Sequence, residues 1–221
     1  MNSLLSTATL YNDWVVLLLI VSFVLVSLTF GADIPQIQKS LRSMFSFKNP
    51  DGLLVYAPLS LFGLFLAALH VAVSTGVLIY LYKGSGLSGY SETVIESVLS
   101  LSVLMAIFLV AKIILYVIVN GSICRKYYIS SQHFRWISFY LMVQSINGTV
   151  ALVSSLLVLF LNVPAWVAVV LFLFFSIILE IGTLFKLFTA FFKKKCSILV
   201  FFIYLCALEI APCILVWFLV K

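Results

Sequence analysis

Among the polar side chains set within otherwise apolar stretches of this chain, six stand out for their chemistry: His70, Lys112, Gln144, Asn147, Glu180 and Glu209. Lys186 is a seventh, close to the end of its stretch. An ionisable group inside a bilayer costs about 2.5–3.5 kcal/mol on insertion scales and therefore faces protein or water, not lipid. Three kinds of chemistry suit such a set. The groups can tie helices together through ion pairs and hydrogen bonds, carry a proton or solute, or catalyse a reaction within the membrane.

No catalytic residue follows from the pattern. HExxH, GxSxG and Walker sequences are absent, and the three aspartates (Asp13, Asp33 and Asp51) all lie outside the apolar runs. Cys124, Cys196, Cys206 and Cys213 form no CxxC pair and no Cys/His cluster of metal-binding spacing. We therefore expect no metal site and no cofactor. Asn120-Gly121-Ser122 and Asn147-Gly148-Thr149 match the glycosylation pattern formally, but the first falls on the inner side and the second inside a helix.

The elements that hold these groups follow from hydropathy. The chain has 221 residues, 64% of them hydrophobic and 9% charged, against roughly 25% charged in a soluble domain. Its mean hydropathy is +1.26. Too little polar surface exists to cover such a chain in water. Six runs approach the ~20 residues needed to span a hydrocarbon core: Trp14–Phe30, Leu53–Leu81, Val94–Val119, Trp136–Leu161, Ala165–Phe188 and Ile198–Val220. The N-terminus lacks the basic region of a secretory signal, so the first run is expected to be kept. Pro58 suits a first turn or a kink. The expected fold is all-α, a single transmembrane domain over 1–221 built as a bundle of six helices.

The connections set the orientation. Segments 32–52, 121–135 and 189–197 hold nine basic residues: Lys39, Arg42, Lys48, Arg125, Lys126, Arg135, Lys193, Lys194 and Lys195. The other side holds two, Lys83 and Lys221. The positive-inside rule then puts those three segments in the cytoplasm and both termini outside it. Trp14, Trp166 and Trp217, with Tyr80, Tyr82 and Tyr90, would form the outer aromatic belt; Trp136, Tyr127, Tyr128 and Tyr140 would form the inner one. Ile37, Leu41, Met44 and Phe45 share one face of Gln36–Phe47, predicting a short helix on the cytoplasmic surface. The net charge of +6 is scattered over these connections, without the basic face of a nucleic-acid binder.

A rise of 1.5 Å per residue orders the polar groups by depth. Lys112, Glu180 and Gln144 come out at the same level, about 12 Å beneath the cytoplasmic boundary. This matching predicts a Lys112–Glu180 pair with Gln144 as neighbour. His70, Asn147 and Glu209 lie nearer the midplane, while Lys186 is close enough to the boundary to snorkel. Helical spacing gives each span an interior stripe: Ser60, Gly63, Ala67, His70 and Ser74; Gln144, Gly148, Ala151 and Ser155; Ser176, Glu180 and Thr183; Cys206, Glu209 and Cys213. Small and polar residues let helices approach and bond, so these stripes should face one another.

The last run contains Tyr204, Leu205, Cys206, Leu208, Glu209 and Pro212 in the order YLCxLEIxP. Pro212 removes a backbone donor and leaves the carbonyl of Leu208 unpaired beside Glu209. The motif resembles the C-terminal signature of a multi-pass membrane family of Bacteroidota, the domain of unknown function 4271, and the opening Asp13-Trp14 is similar too. That resemblance implies a bacterial inner membrane and no particular reaction. The residues themselves favour a non-enzymatic subunit or scaffold of an envelope assembly. The alternatives are a small transporter or channel using the polar layer and, last, an intramembrane enzyme. The expected partners are the lipid bilayer and other membrane proteins or further copies of the chain, with no role for nucleic acid.

Overall fold

A computed structural model of the chain describes residues 2–31, 60–84, 94–123 and 130–192. Within them lie five helices: α1 (Asn2–Gly31), α2 (Leu61–Gly84), α3 (Val94–Ile123), α4 (Ser130–Leu161) and α5 (Ala165–Phe192). The expected sixth span, Ile198–Val220, with the Tyr204–Pro212 motif and Glu209, lies outside the described residues. So do the surface helix at Gln36–Phe47, Pro58 and all four cysteines.

The helices overrun the apolar runs. α1 starts at Asn2, α3 continues through Ile123, α4 already begins at Ser130 and α5 extends to Phe192. The backbone ladder depends on φ and ψ, not on side-chain polarity, so hydropathy sets the length in lipid without setting the helix ends. Local chemistry sets them instead. At the start of α2, the Gly63 N–H donates to Ser60 Oγ at 3.0 Å and the Leu64 N–H to the Ser60 carbonyl at 2.9 Å. Ser60 is thus an N-cap, exposed at the helix end, and not the interior residue its spacing predicted.

α4 and α5 are joined by Asn162, Val163 and Pro164 alone. Asn162 has φ 50°, the left-handed conformation that ends many helices and that Asn tolerates better than other non-glycine residues. The Val163 N–H reaches back to the Leu157 carbonyl at 3.3 Å, and the Pro164 carbonyl accepts from Val167 at 2.9 Å to open α5. Asn162→Val should therefore cost about 1–2 kcal/mol and lower the thermal midpoint in detergent, while Asn162→Gly should leave it nearly unchanged. Equal midpoints for the two variants would contradict this account.

α2 is the hub, packing on all four other helices, with α5 held mainly against α4. Val15 and Leu19 of α1, Val77 and Tyr80 of α2, Val98 of α3 and Leu152 of α4 form one apolar cluster. A second gathers Leu64 and Val71 of α2, Leu109 of α3, Leu179 of α5 and Trp136, Phe139 and Tyr140 of α4. On α1 the buried positions Val15, Leu19, Ser22, Val26 and Thr29 alternate by three and four, the spacing of a helix seated along one neighbour.

The opposite faces are apolar and uncovered. Leu17, Ile20 and Phe23 of α1, Leu99, Val103 and Ile107 of α3, and Val170, Phe174 and Ile181 of α5 all point outward. All five helices contain stretches long and apolar enough to cross a membrane. A surface of this kind needs hydrocarbon around it; the chain is a membrane-embedded helical bundle. Its exterior includes Trp14, Tyr82 and Trp166, but Tyr80, Trp136 and Tyr140 turn inward and do not join a belt. Depth along a helix and the direction a ring faces are independent, and hydropathy reports only the first.

Candidate functional site

α4 carries polar groups on two adjoining faces, each engaging a different neighbour. Toward α5, Gln144 and Asn147 are three residues apart and so share a face. The Gln144 amide donates from Nε2 to Glu180 Oε1 at 2.9 Å. One turn along, Ser176 donates to Asn147 Oδ1 at 2.6 Å. The two contacts run in opposite chain directions, as the short Asn162–Pro164 turn requires.

Lys112 reaches the same carboxylate from α3. Its Nζ lies 3.5 Å from Glu180 Oε1, with the side chain 6% exposed against 26% for Glu180. The ammonium also lies over the rings of Phe108, 5.8 Å from the centroid, and Tyr140, at 5.7 Å. Both distances suit a cation–π contact. Lys112 is therefore shared between one carboxylate oxygen and two aromatic faces. Glu180 Oε2, by contrast, is buried and has no hydrogen-bond partner among the described residues.

Toward α2, α4 presents Ser145, Gly148 and Thr149. Here the central group is His70, fully buried. Its Nδ1 lies 2.9 Å from Ser22 Oγ, 3.1 Å from the Ser22 carbonyl and 3.3 Å from Ser74 Oγ. Nε2 lies 3.4 Å from Thr149 Oγ1. Two hydroxyl protons are already committed one turn back along their own helices: Ser74 donates to the His70 carbonyl at 2.8 Å, and Thr149 to the Ser145 carbonyl at 3.0 Å. A carbonyl can only accept, so the ring proton belongs on Nδ1, facing the Ser22 carbonyl, and with the Ser74 proton already placed the Ser22 hydroxyl donates to Ser74 Oγ. Ser22 Oγ also lies 2.5 Å from Ser74 Oγ, closing a four-residue network across α1, α2 and α4.

Gly148 allows this network to be so compact. A Cβ there would stand 3.0 Å from the Val71 Cα and 3.2 Å from His70 Cδ2 and Nε2. The missing side chain is the space the imidazole occupies.

The structure thus brings Lys112, Gln144 and Glu180 into one cluster and His70 into another, with Asn147 bonded to Ser176 beside the first. On α2, Ala67, His70 and Ser74 of the expected stripe are buried; on α4, Gln144, Gly148, Ala151 and Ser155 are. Lys186 is only 1% exposed and does not snorkel. It follows Leu179 and Thr183 on the buried face of α5, and its direction outweighs its depth. Ser22 and Thr149 did not emerge from sequence reasoning as partners of His70. The available signal for Ser22 was its seven-residue spacing from Val15 and Thr29.

Chemically, the first cluster can hold a charge pair, and it offers one carboxylate oxygen without a donor. The second is a closed hydrogen-bond network. Among the described residues no group of three or more His, Cys, Asp or Glu side chains could hold a metal ion.

No curated protein matches the chain, nor does any solved structure. One family does, described as domain of unknown function (DUF4271), over residues 14–220. The match takes in every described helix at least in part and the C-terminal stretch with Glu209 and Pro212, and the chain accordingly belongs to that family.

Proposed function

We propose that this chain is a multi-pass protein of a bacterial inner membrane, crossing six times, that acts as a non-enzymatic subunit of an envelope assembly. The observation that carries this reading is how the interior polar groups are used. Lys112 and Gln144 are directed at Glu180, Ser176 at Asn147, and His70 at Ser22, Ser74 and Thr149. Each contact joins different helices or braces a helix that makes such a contact. Polar groups spent this way fix helix register, which a scaffold needs. The excess of basic residues in 32–52, 121–135 and 189–197 supports a cytoplasmic position for those segments and a periplasmic one for both termini.

Reporter fusions at either end test the orientation: periplasm-active reporters should work at both. Cytosolic activity at either end would refute it. Crosslinking in membranes, followed by detergent extraction, tests the role. A subunit should yield a reproducible set of membrane-protein partners or further copies of the chain, and Glu209→Gln should lower abundance or partner recovery. If Glu209→Gln instead abolished a physiological function with abundance and partners intact, a transport role would replace the scaffold reading.

A further inference from the structure

The inner end of α5 is enclosed on every side. From Ala165 to Ile181 one face of the helix carries exposed residues, Phe174, Ile177 and Ile181 among them, but none of Gly182–Lys186 is exposed. Five successive residues pass right round a helix of 3.6 residues per turn, whereas α4, against which α5 is mainly held, covers one side of it. Lys186 lies in this enclosed turn with 1% of its surface exposed. An ammonium shut away from water is tolerated where a counter-charge meets it.

Apart from Glu96, exposed in the first turn of α3, the apolar runs contain two carboxylates, Glu180 and Glu209. Lys112 and Gln144 engage the first. We propose that the C-terminal run Ile198–Val220 packs antiparallel against the inner end of α5, and that Glu209 is the counter-charge of Lys186. The interior cations Lys112 and Lys186 are then balanced by Glu180 and Glu209.

Residues 193–197 alone separate the end of α5 from that run, and so short a connection joins antiparallel neighbours. With the turn centred on Lys195, Lys186 stands level with Tyr204, and Glu209 about 7.5 Å farther along the axis. Side chains lean toward the N-terminus of their own helix. In an antiparallel pair Lys186 and Glu209 therefore lean toward each other, and their lengths close that offset. Gly182, one turn before Lys186, lets a neighbouring backbone come near on the same flank.

The pairing rests on the six-crossing arrangement proposed above. Lys186→Met and Glu209→Gln should each lower the thermal midpoint in detergent by roughly 5–10 °C, and the double variant should recover most of that loss. Losses that simply add would overturn the pairing. In wild-type membranes, dicyclohexylcarbodiimide condenses a carboxyl and an amine that touch: one amide bond forms, and the reagent takes up the water lost as its urea. The peptide map should contain the Lys186 peptide joined to the Glu209 peptide. Lys186 joined instead to Asp33 or Asp51 would make segment 32–52 the occupant and overturn the proposal. So would a missing Lys186–Glu209 link where Lys112 is joined to Glu180. The map needs no variant, so it decides the matter should a variant fail to accumulate. A C-terminal reporter active in the periplasm alongside additive losses would sink the pairing alone, whereas one active in the cytosol would sink the six crossings with it.

Discussion

Lys112→Met and Glu180→Leu should each leave a partner group stranded in the bundle and sharply reduce the fraction of chain that survives extraction folded. Removing one member of a buried pair costs about 3–5 kcal/mol, because the remaining charge stays desolvated. Here the lower end of that range applies: Glu180 keeps 26% of its side chain exposed and the pair spans 3.5 Å. The aromatic faces of Phe108 and Tyr140 would cushion Lys112 further when Glu180 is the residue removed.

Pairing, not mere presence of charge, is what the geometry claims, so the decisive variants are double ones. Lys112→Met with Glu180→Gln removes both charges, and an isosteric neutral replacement of a buried pair is often nearly neutral. Exchanging the charges, Lys112→Glu with Glu180→Lys, should recover part of the loss caused by either reversal alone. A double-mutant cycle on thermal midpoints in one detergent measures the coupling. If either double variant is as unstable as the sum of its singles, the two residues do not act as a pair.

Gly76→Val should produce a comparable loss by steric means. A Cβ at Gly76 would collide with Ser102 Oγ and lie 3.0 Å from the backbone Cα and N of Ser102. The hydroxyl can rotate away, but the backbone cannot, so α2 and α3 must separate where Val77 and Val98 pack. Overpacking of a tight core costs about 1–3 kcal/mol, and a β-branched residue adds two further carbons to the collision. Gly76→Ala should cost less, and Ser102→Gly should partly rescue it. Gly148→Ala gives an internal comparison, since its nearest backbone contact is also 3.0 Å but its closest side-chain atoms, on His70, are at 3.2 Å. The expected order of destabilisation is Gly76→Val, then Gly76→Ala, then Gly148→Ala. Gly76→Val with an unchanged midpoint would mean that the helices are not this close.

The amino-acid sequence alone determined the solvent and the levels. Apolar runs of spanning length identify helices that lipid must surround. The constant rise of an α-helix then places Lys112, Gln144 and Glu180 at one depth before any contact is known. Azimuth is another matter. Gln144 and Ser145 are consecutive, yet one helix face addresses Glu180 and the other leads to His70; that division exists only once α2 and α5 take their places beside α4. Ser22 becomes a partner of His70 only when α1 packs on α2, and a serine in an apolar run advertises nothing of the kind. Lys186, Trp136 and Tyr140 turned inward for the same reason. Hydropathy is a property read along the chain, whereas the direction a side chain faces is fixed by neighbours distant in sequence, and only tertiary packing supplies them.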